Sequence, residues 1–85
     1  MPELSRFLGI AVAMFYAPED APHFDAFAGP YRIRVDIETG LVAGSFPPRA
    51  LGLVLEWRQR YVAELRHNWM LARSRQPLVA IPPLE

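Results

Sequence analysis

Hydrophobic and polar positions alternate most plainly over residues 31–37, where Ile33, Val35 and Ile37 are interleaved with Arg32, Arg34 and Asp36. A period of two sends successive side chains to opposite faces, so this segment predicts a half-buried antiparallel strand. Glu38-Thr39-Gly40 predicts a tight connection, with Gly40 free to take a positive φ. Residues 41–46 return as a short hairpin partner in which Gly44 marks a bulge. Upstream, a strand over residues 10–16 sets Ile10, Val12 and Met14 on one face and Ala11, Ala13 and Phe15 on the other. Both faces are apolar, which suits a central or doubly covered strand. Residues 17–22 predict a turn, because prolines remove ladder donors and the acids favour water. His23 to Ala28 forms a further strand, ended by Gly29-Pro30.

The pattern changes at Pro47-Pro48, where proline at a first helical position loses only a donor that had no partner. Helix formers run to Arg75, and Pro77 forbids continuation. At about 100° per residue, Leu51, Val54, Leu55, Tyr61, Val62, Leu65, Trp69 and Ala72 form one apolar stripe. A straight helix over residues 48–74 would measure about 40 Å at a rise of about 1.5 Å per residue. A compact domain of this length is only about 30 Å across. Either the helix breaks, around Tyr61 to Ala63, or its second half overhangs the sheet and Leu65, Trp69 and Ala72 need a partner. The tail over residues 78–85, apolar and rich in proline, predicts an extended arm. The expected fold class is α+β: a small three- to four-stranded antiparallel sheet over residues 1–46, then one long or two consecutive helices packed on it over residues 47–76. Residues 77–85 complete a single domain of 85 residues.

Composition narrows the chemistry. An apolar share of 52% argues against disorder. The chain has no cysteine, which removes disulfide scaffolds, zinc-thiolate sites and thiol catalysis together. Formal charge is zero but unevenly spread: residues 49–75 carry six arginines against Glu56 and Glu64, a local balance of +4. Every basic side chain apart from histidine is arginine, a planar donor suited to carboxylate or phosphate. The apolar stretch from Phe7 to Ala17 is interrupted by Gly9 and follows Glu3 and Arg6, so it predicts a strand of the core and no secretory leader. No stretch approaches the roughly 18 apolar residues of a membrane span, and a cytoplasmic location is expected.

His23 and Asp25 are the strongest chemical candidates. Two residues apart on a strand, they point to one face, where imidazole and carboxylate can share a substrate proton. The plainer alternative is a histidine satisfying a hydrogen bond at a strand start. With no third ligand at recognisable spacing, no metal is expected. Arg58 falls in the middle of the apolar stripe, where an unpaired guanidinium is costly. It must pair with Asp36 or Asp25, sit where the helix breaks, or extend its head to water. Arg32 and Arg34 share the polar strand face with Asp36 and read either as a solvated face or as contacts to phosphate or a partner. Trp57 and Trp69 suit core packing, although an exposed Trp69 amid arginines would suit an interface anchor. His67 falls on the polar side of the helix. No phosphate loop, nucleophile elbow or HExxH spacing is present.

Several segments in order resemble one bacterial family: Ser-Arg-Phe-Leu-Gly-Ile at 5–10, Met-Phe-Tyr at 14–16, Ala-Pro-His-Phe at 21–24, Val-Asp-Ile-Glu-Thr-Gly at 35–40 and Pro-Arg-Ala-Leu at 48–51. Leu-Glu-Trp at 55–57, Glu-Leu at 64–65, Asn-Trp at 68–69 and Ile-Pro-Pro-Leu at 81–84 continue it. The chain is thereby similar to the family catalogued as domain of unknown function 4160. The resemblance implies a short protein whose gene often neighbours that of another small domain, an arrangement comparable to toxin–antitoxin modules. The family motif reads Pro-His-Phe-His, and here Asp25 holds its last position. A role that needs two imidazoles there does not carry over.

The expected function is therefore protein binding, as one component of a two-gene module of toxin–antitoxin type, with a neighbour-encoded protein or a second copy as partner. Arg32, Arg34, Arg58 and Trp69 are the expected binding residues. A rival reading is a small RNA-cleaving enzyme that uses His23 and Asp25, with arginines holding phosphate. A third, a nucleic-acid-binding regulator, rests on the +4 helical segment alone. No cofactor is expected under any of them.

Overall fold

A computed structural model describes residues 2–85. Five strands, β1 (Glu3–Phe7), β2 (Ile10–Ala13), β3 (His23–Ala28), β4 (Tyr31–Asp36) and β5 (Val42–Ser45), pair in chain order as one antiparallel meander. Two helices follow, α1 (Pro48–Arg60) and α2 (Val62–Arg73). The α+β architecture matches the expectation, but the sheet has five strands instead of three or four. The additional one is β1, and its sequence hides it for two reasons. The register shifts between Glu3 and Ser5, so Leu4 and Ser5 are buried side by side and the period of two is lost. Leu8, moreover, takes a left-handed conformation (φ 50°) in the two-residue turn before Gly9, a position that favours Asn, Asp or Gly. β2 is also shorter than expected, ending at Ala13.

Alternation decides what each strand contributes. Ile10, Val12, Phe24, Ala26, Ile33 and Val35 face the helices and join Val54, Trp57, Leu65 and Trp69 in one core. Burying a side chain of this size contributes about 1.5–3 kcal/mol, so this face carries most of the stability. The tail lies along the same side as an extended arm: Ile81 and Leu84 are buried, and the Ile81 N–H donates to the Leu4 carbonyl across 2.9 Å. Asn68 holds the arm by accepting from the Val79 N–H at 2.7 Å and donating to the Val79 carbonyl at 2.9 Å. The indole Nε1 of Trp57 donates to the Pro82 carbonyl at 2.9 Å.

The helical segment breaks at Tyr61, within the expected window. Tyr61 has φ −117° and ψ 28°, and its N–H is shared between the carbonyls of Trp57 and Arg58. The break lets α2 follow the small body, whose longest dimension is 34 Å, shorter than an unbroken helix would be. Leu65 and Trp69 are consequently enclosed within the chain, Trp69 at 8% exposure. No overhang exists, and Trp69 is a core residue instead of an exposed interface anchor. Leu65 and Trp69 therefore need no companion protein to cover them. Among the described residues no helix is long and apolar enough to cross a membrane.

Candidate functional site

Helices and tail cover one face of the sheet; rows of paired side chains cross the other. Ala11, Phe27, Arg32 and Ser45 form one row, and Ala13, Asp25, Arg34 and Ala43 the next. His23 stands opposite Asp36 in a third row at the end of the strands. Four of the residues singled out by sequence, His23, Asp25, Arg32 and Arg34, therefore share one strand face, on which His23, at the strand end, is covered by Trp69. Arg58 and Trp69 belong to the helical side.

Asp25 is the hub of this face. Its side chain is almost fully buried, and Arg32 grips Oδ2 from above through Nε at 2.9 Å and a second nitrogen at 2.5 Å. Such a forked, charge-assisted contact orders both partners. The ordered guanidinium lies 5.1 Å from the centroid of Phe27 and 5.7 Å from that of Phe15, and the two rings meet edge to face. Cation–π attraction thus ties Arg32 to an aromatic pair. Arg34 approaches Oδ1 of Asp25 only to 3.9 Å and instead bonds Asp20 at 3.2 Å. Oδ1 is left buried without a hydrogen bond.

His23 is buried to 2% exposure. Its Nδ1 lies 2.9 Å from the Ala21 carbonyl, an oxygen that only accepts, so Nδ1 donates in that contact. Nε2 meets neither solvent nor a partner. The ring packs against Trp69, 5.2 Å between centroids. His23 and Asp25 thus share a face but are engaged separately: the imidazole with a carbonyl, the carboxylate with arginine. In this arrangement neither offers a proton-transfer atom to solvent.

Beside His23 opens a cleft of about 250 Å³, bounded by Asp20 and Arg34 on one side and by Asp36 and residues 41–43 on the other. Asp36 is held below its usual value of 3.8, foremost because its carboxylate accepts the Thr39 N–H and also that of Glu38; the nearby charge of Arg58 adds to this, against some desolvation. The turn that carries these donors is braced from the helices. Arg58 donates to the Ile37 carbonyl at 3.0 and 2.7 Å and to that of Glu38 at 3.0 Å. It pairs with backbone carbonyls and with neither of the acids, Asp36 and Asp25, that the sequence offered as one of three alternatives. A single terminal nitrogen of the guanidinium reaches both carbonyls, and Nε adds a second bond to that of Ile37. Gly40 makes room for it, since a Cβ there would lie 3.1 Å from the guanidinium. Arg66 binds Glu38 at 2.7 and 2.9 Å, which lowers the glutamate pKa and raises that of the arginine.

Sequence reasoning passed over Phe15, Phe27 and Asp20 as site residues. Alternation along β3 sets Phe27 on the face of His23 and Asp25, a signal present in the sequence. Asp20 sits in a loop, where no period indicates direction. His67 is exposed, as its helical position predicts. Among the described residues no group of three or more metal-ligating side chains converges.

Residues 9–70 match the family model described as a domain of unknown function, DUF4160. No curated protein and no solved structure matches the chain.

Proposed function

The chain belongs to the DUF4160 family, and from that premise we propose that it works by binding another protein through the uncovered sheet face, as one half of a two-protein module. The supporting observation is the Phe15–Phe27 pair roofed by Arg32, which Asp25 holds in place. Aromatic and arginine side chains dominate the energetics of protein interfaces, most of all when they are ordered before the partner arrives. The arginines of this face are already paired: Arg6 with Glu3, Arg32 with Asp25 and Arg34 with Asp20. A face whose cations are neutralised locally is a poor match for a phosphate backbone, which favours a protein over nucleic acid. A neighbour-encoded small protein in the cytoplasm, in an arrangement of toxin–antitoxin type, is the partner proposed.

Co-expression with the product of the adjacent gene tests this reading. Co-purification is expected, with retention falling at least about tenfold in Phe15→Ala, a loss of the size expected for an interface anchor. A chain that never retains that protein, or retains it equally with and without Phe15, overturns the proposal.

A further inference from the structure

Asp25 carries an unmet demand. Its Oδ2 takes both bonds from Arg32, while Oδ1 is buried and receives no hydrogen bond. A buried acceptor left unpaired has lost its water without compensation, and each one in a folded protein calls for a physical account. A donor stands close by. The Nε of Arg34 lies 3.9 Å from Oδ1, beyond hydrogen-bond distance but within the pull of the charge.

What holds Arg34 back is Asp20, which accepts one of its terminal N–H groups at 3.2 Å, the long end of the usual range. The two side chains are 49% and 35% exposed, so water weakens this bond. Completing a buried carboxylate is worth more than an exposed pair, but the guanidinium must first leave water to do it. The two positions are therefore close in free energy. Arg34 cannot hold both acids well, because closing the gap to Oδ1 moves the guanidinium by about 1 Å and the bond to Asp20 has no slack. Nor is Asp20 free to follow. Its loop, residues 17–21, is pinned at both ends: Tyr16 packs on Trp69, 5.0 Å between centroids, and the Pro22 carbonyl accepts the Ile37 N–H at 3.0 Å. This loop also separates two openings. Asp20 lines the cleft of about 250 Å³ beside His23 and another of about 410 Å³ walled by Tyr16, Pro18, Trp69 and Arg73.

We infer that Arg34 is a two-position latch: it either holds the 17–21 loop through Asp20 or completes the hydrogen bonding of Asp25, and in the second position the loop is released and its two clefts join. One side chain thereby couples the outer face of the sheet to the openings at its end, because two acceptors compete for the same donor. The coupling is reciprocal. Whatever shields Asp25 from water favours the released loop, and whatever strengthens the Asp20 contact leaves Oδ1 bare. The latch acts with or without a bound protein, so it stands apart from the protein-binding reading above.

Hydrogen exchange followed by NMR on the full chain reads both positions. The Arg34 Nε–H reports one, and the Asp20 amide, which donates to the Ala17 carbonyl within the loop, reports the other. In Asp20→Ala the latch has only Asp25 to bind, and the Arg34 Nε–H is expected to exchange at least about threefold more slowly than in the unaltered chain. A guanidinium that merely braced the loop would be freed by that change and would exchange as fast or faster. In Asp25→Ala the competitor is gone, and the Asp20 amide is expected to exchange at least about threefold more slowly. The amides of Ile33 and Val35, in the core, check that each variant stays folded. Should Asp25→Ala lose its fold, the Asp20→Ala result decides alone. An Arg34 Nε–H that gains no protection in Asp20→Ala overturns the inference, and so does an Asp20 amide unchanged or faster in a folded Asp25→Ala.

Discussion

The two faces of the sheet are made by the same five strands and solve opposite problems. The helical face is filled by side chains with no polar demand, among them Phe24, Ile33 and Val35, each at most 1% exposed. The outer face buries Asp25 almost as deeply, yet must satisfy it with arginines that are themselves half exposed. Burial of apolar area is non-directional and stabilises wherever it occurs. Burial of a carboxylate stabilises nothing unless geometry supplies partners, and its return is an ordered surface more than folding energy. One face therefore holds the fold, and the other displays a shaped, charged surface.

Substitutions should separate the two faces sharply. Trp57→Ala, on the covered side, is expected to cost about 3–5 kcal/mol. It removes a fully buried ring and its bond to the Pro82 carbonyl. That approaches the whole stability of a small domain, and urea denaturation should find the variant largely unfolded or nearly so. A loss under about 1 kcal/mol would show that this face does not carry the fold.

On the open side the prediction is an asymmetry. Arg32→Ala strands the Asp25 carboxylate and should cost about 1–2 kcal/mol, discounted from the value for a fully buried pair because Arg32 is 59% exposed. Asp25→Ala removes the burden along with the bond and should change stability by less than about 1 kcal/mol. The double variant should resemble Asp25→Ala. Equal losses in both single variants would mean that Asp25 is not an electrostatic liability.

Acid gives a smaller, local effect at the end of the open face. The pKa of Asp36 is lowered by folding, so the unfolded chain binds its proton more readily. The stabilisation is complete above the ordinary value of 3.8 and is lost as pH falls through the lower folded value. Urea midpoints should decline below about pH 4 and decline less steeply in Asp36→Asn. Glu38 is shifted in the same direction by Arg66 but is an exposed group. The smallest stability change is expected for Phe15→Ala, under about 1 kcal/mol, since Phe15 is already 37% exposed. Retention of the partner should nevertheless fall in that variant. A large stability loss there would reassign Phe15 to the core.

Much of this was readable along the chain because strand and helix periods are local. Residues 31–37 declare their inward and outward sides through sterics alone, and the same rule places His23, Asp25 and Phe27 together. The proline stops, the turn at Gly40 and even the break near Tyr61 follow from local preference and a length limit. β1 was lost because a register shift and a leucine at a left-handed turn position both conceal its period.

Pairing across the fold was another matter. That Arg58 serves the carbonyls of Ile37 and Glu38, that Arg32 rather than Arg58 answers Asp25, and that Leu65 and Trp69 find cover within the chain are all long-range outcomes. The chain alone settles which side each residue faces, because that is a matter of backbone geometry over two to four positions. Which group it meets there depends on how α1, α2 and the tail pack back on the sheet, and only the assembled structure decides that.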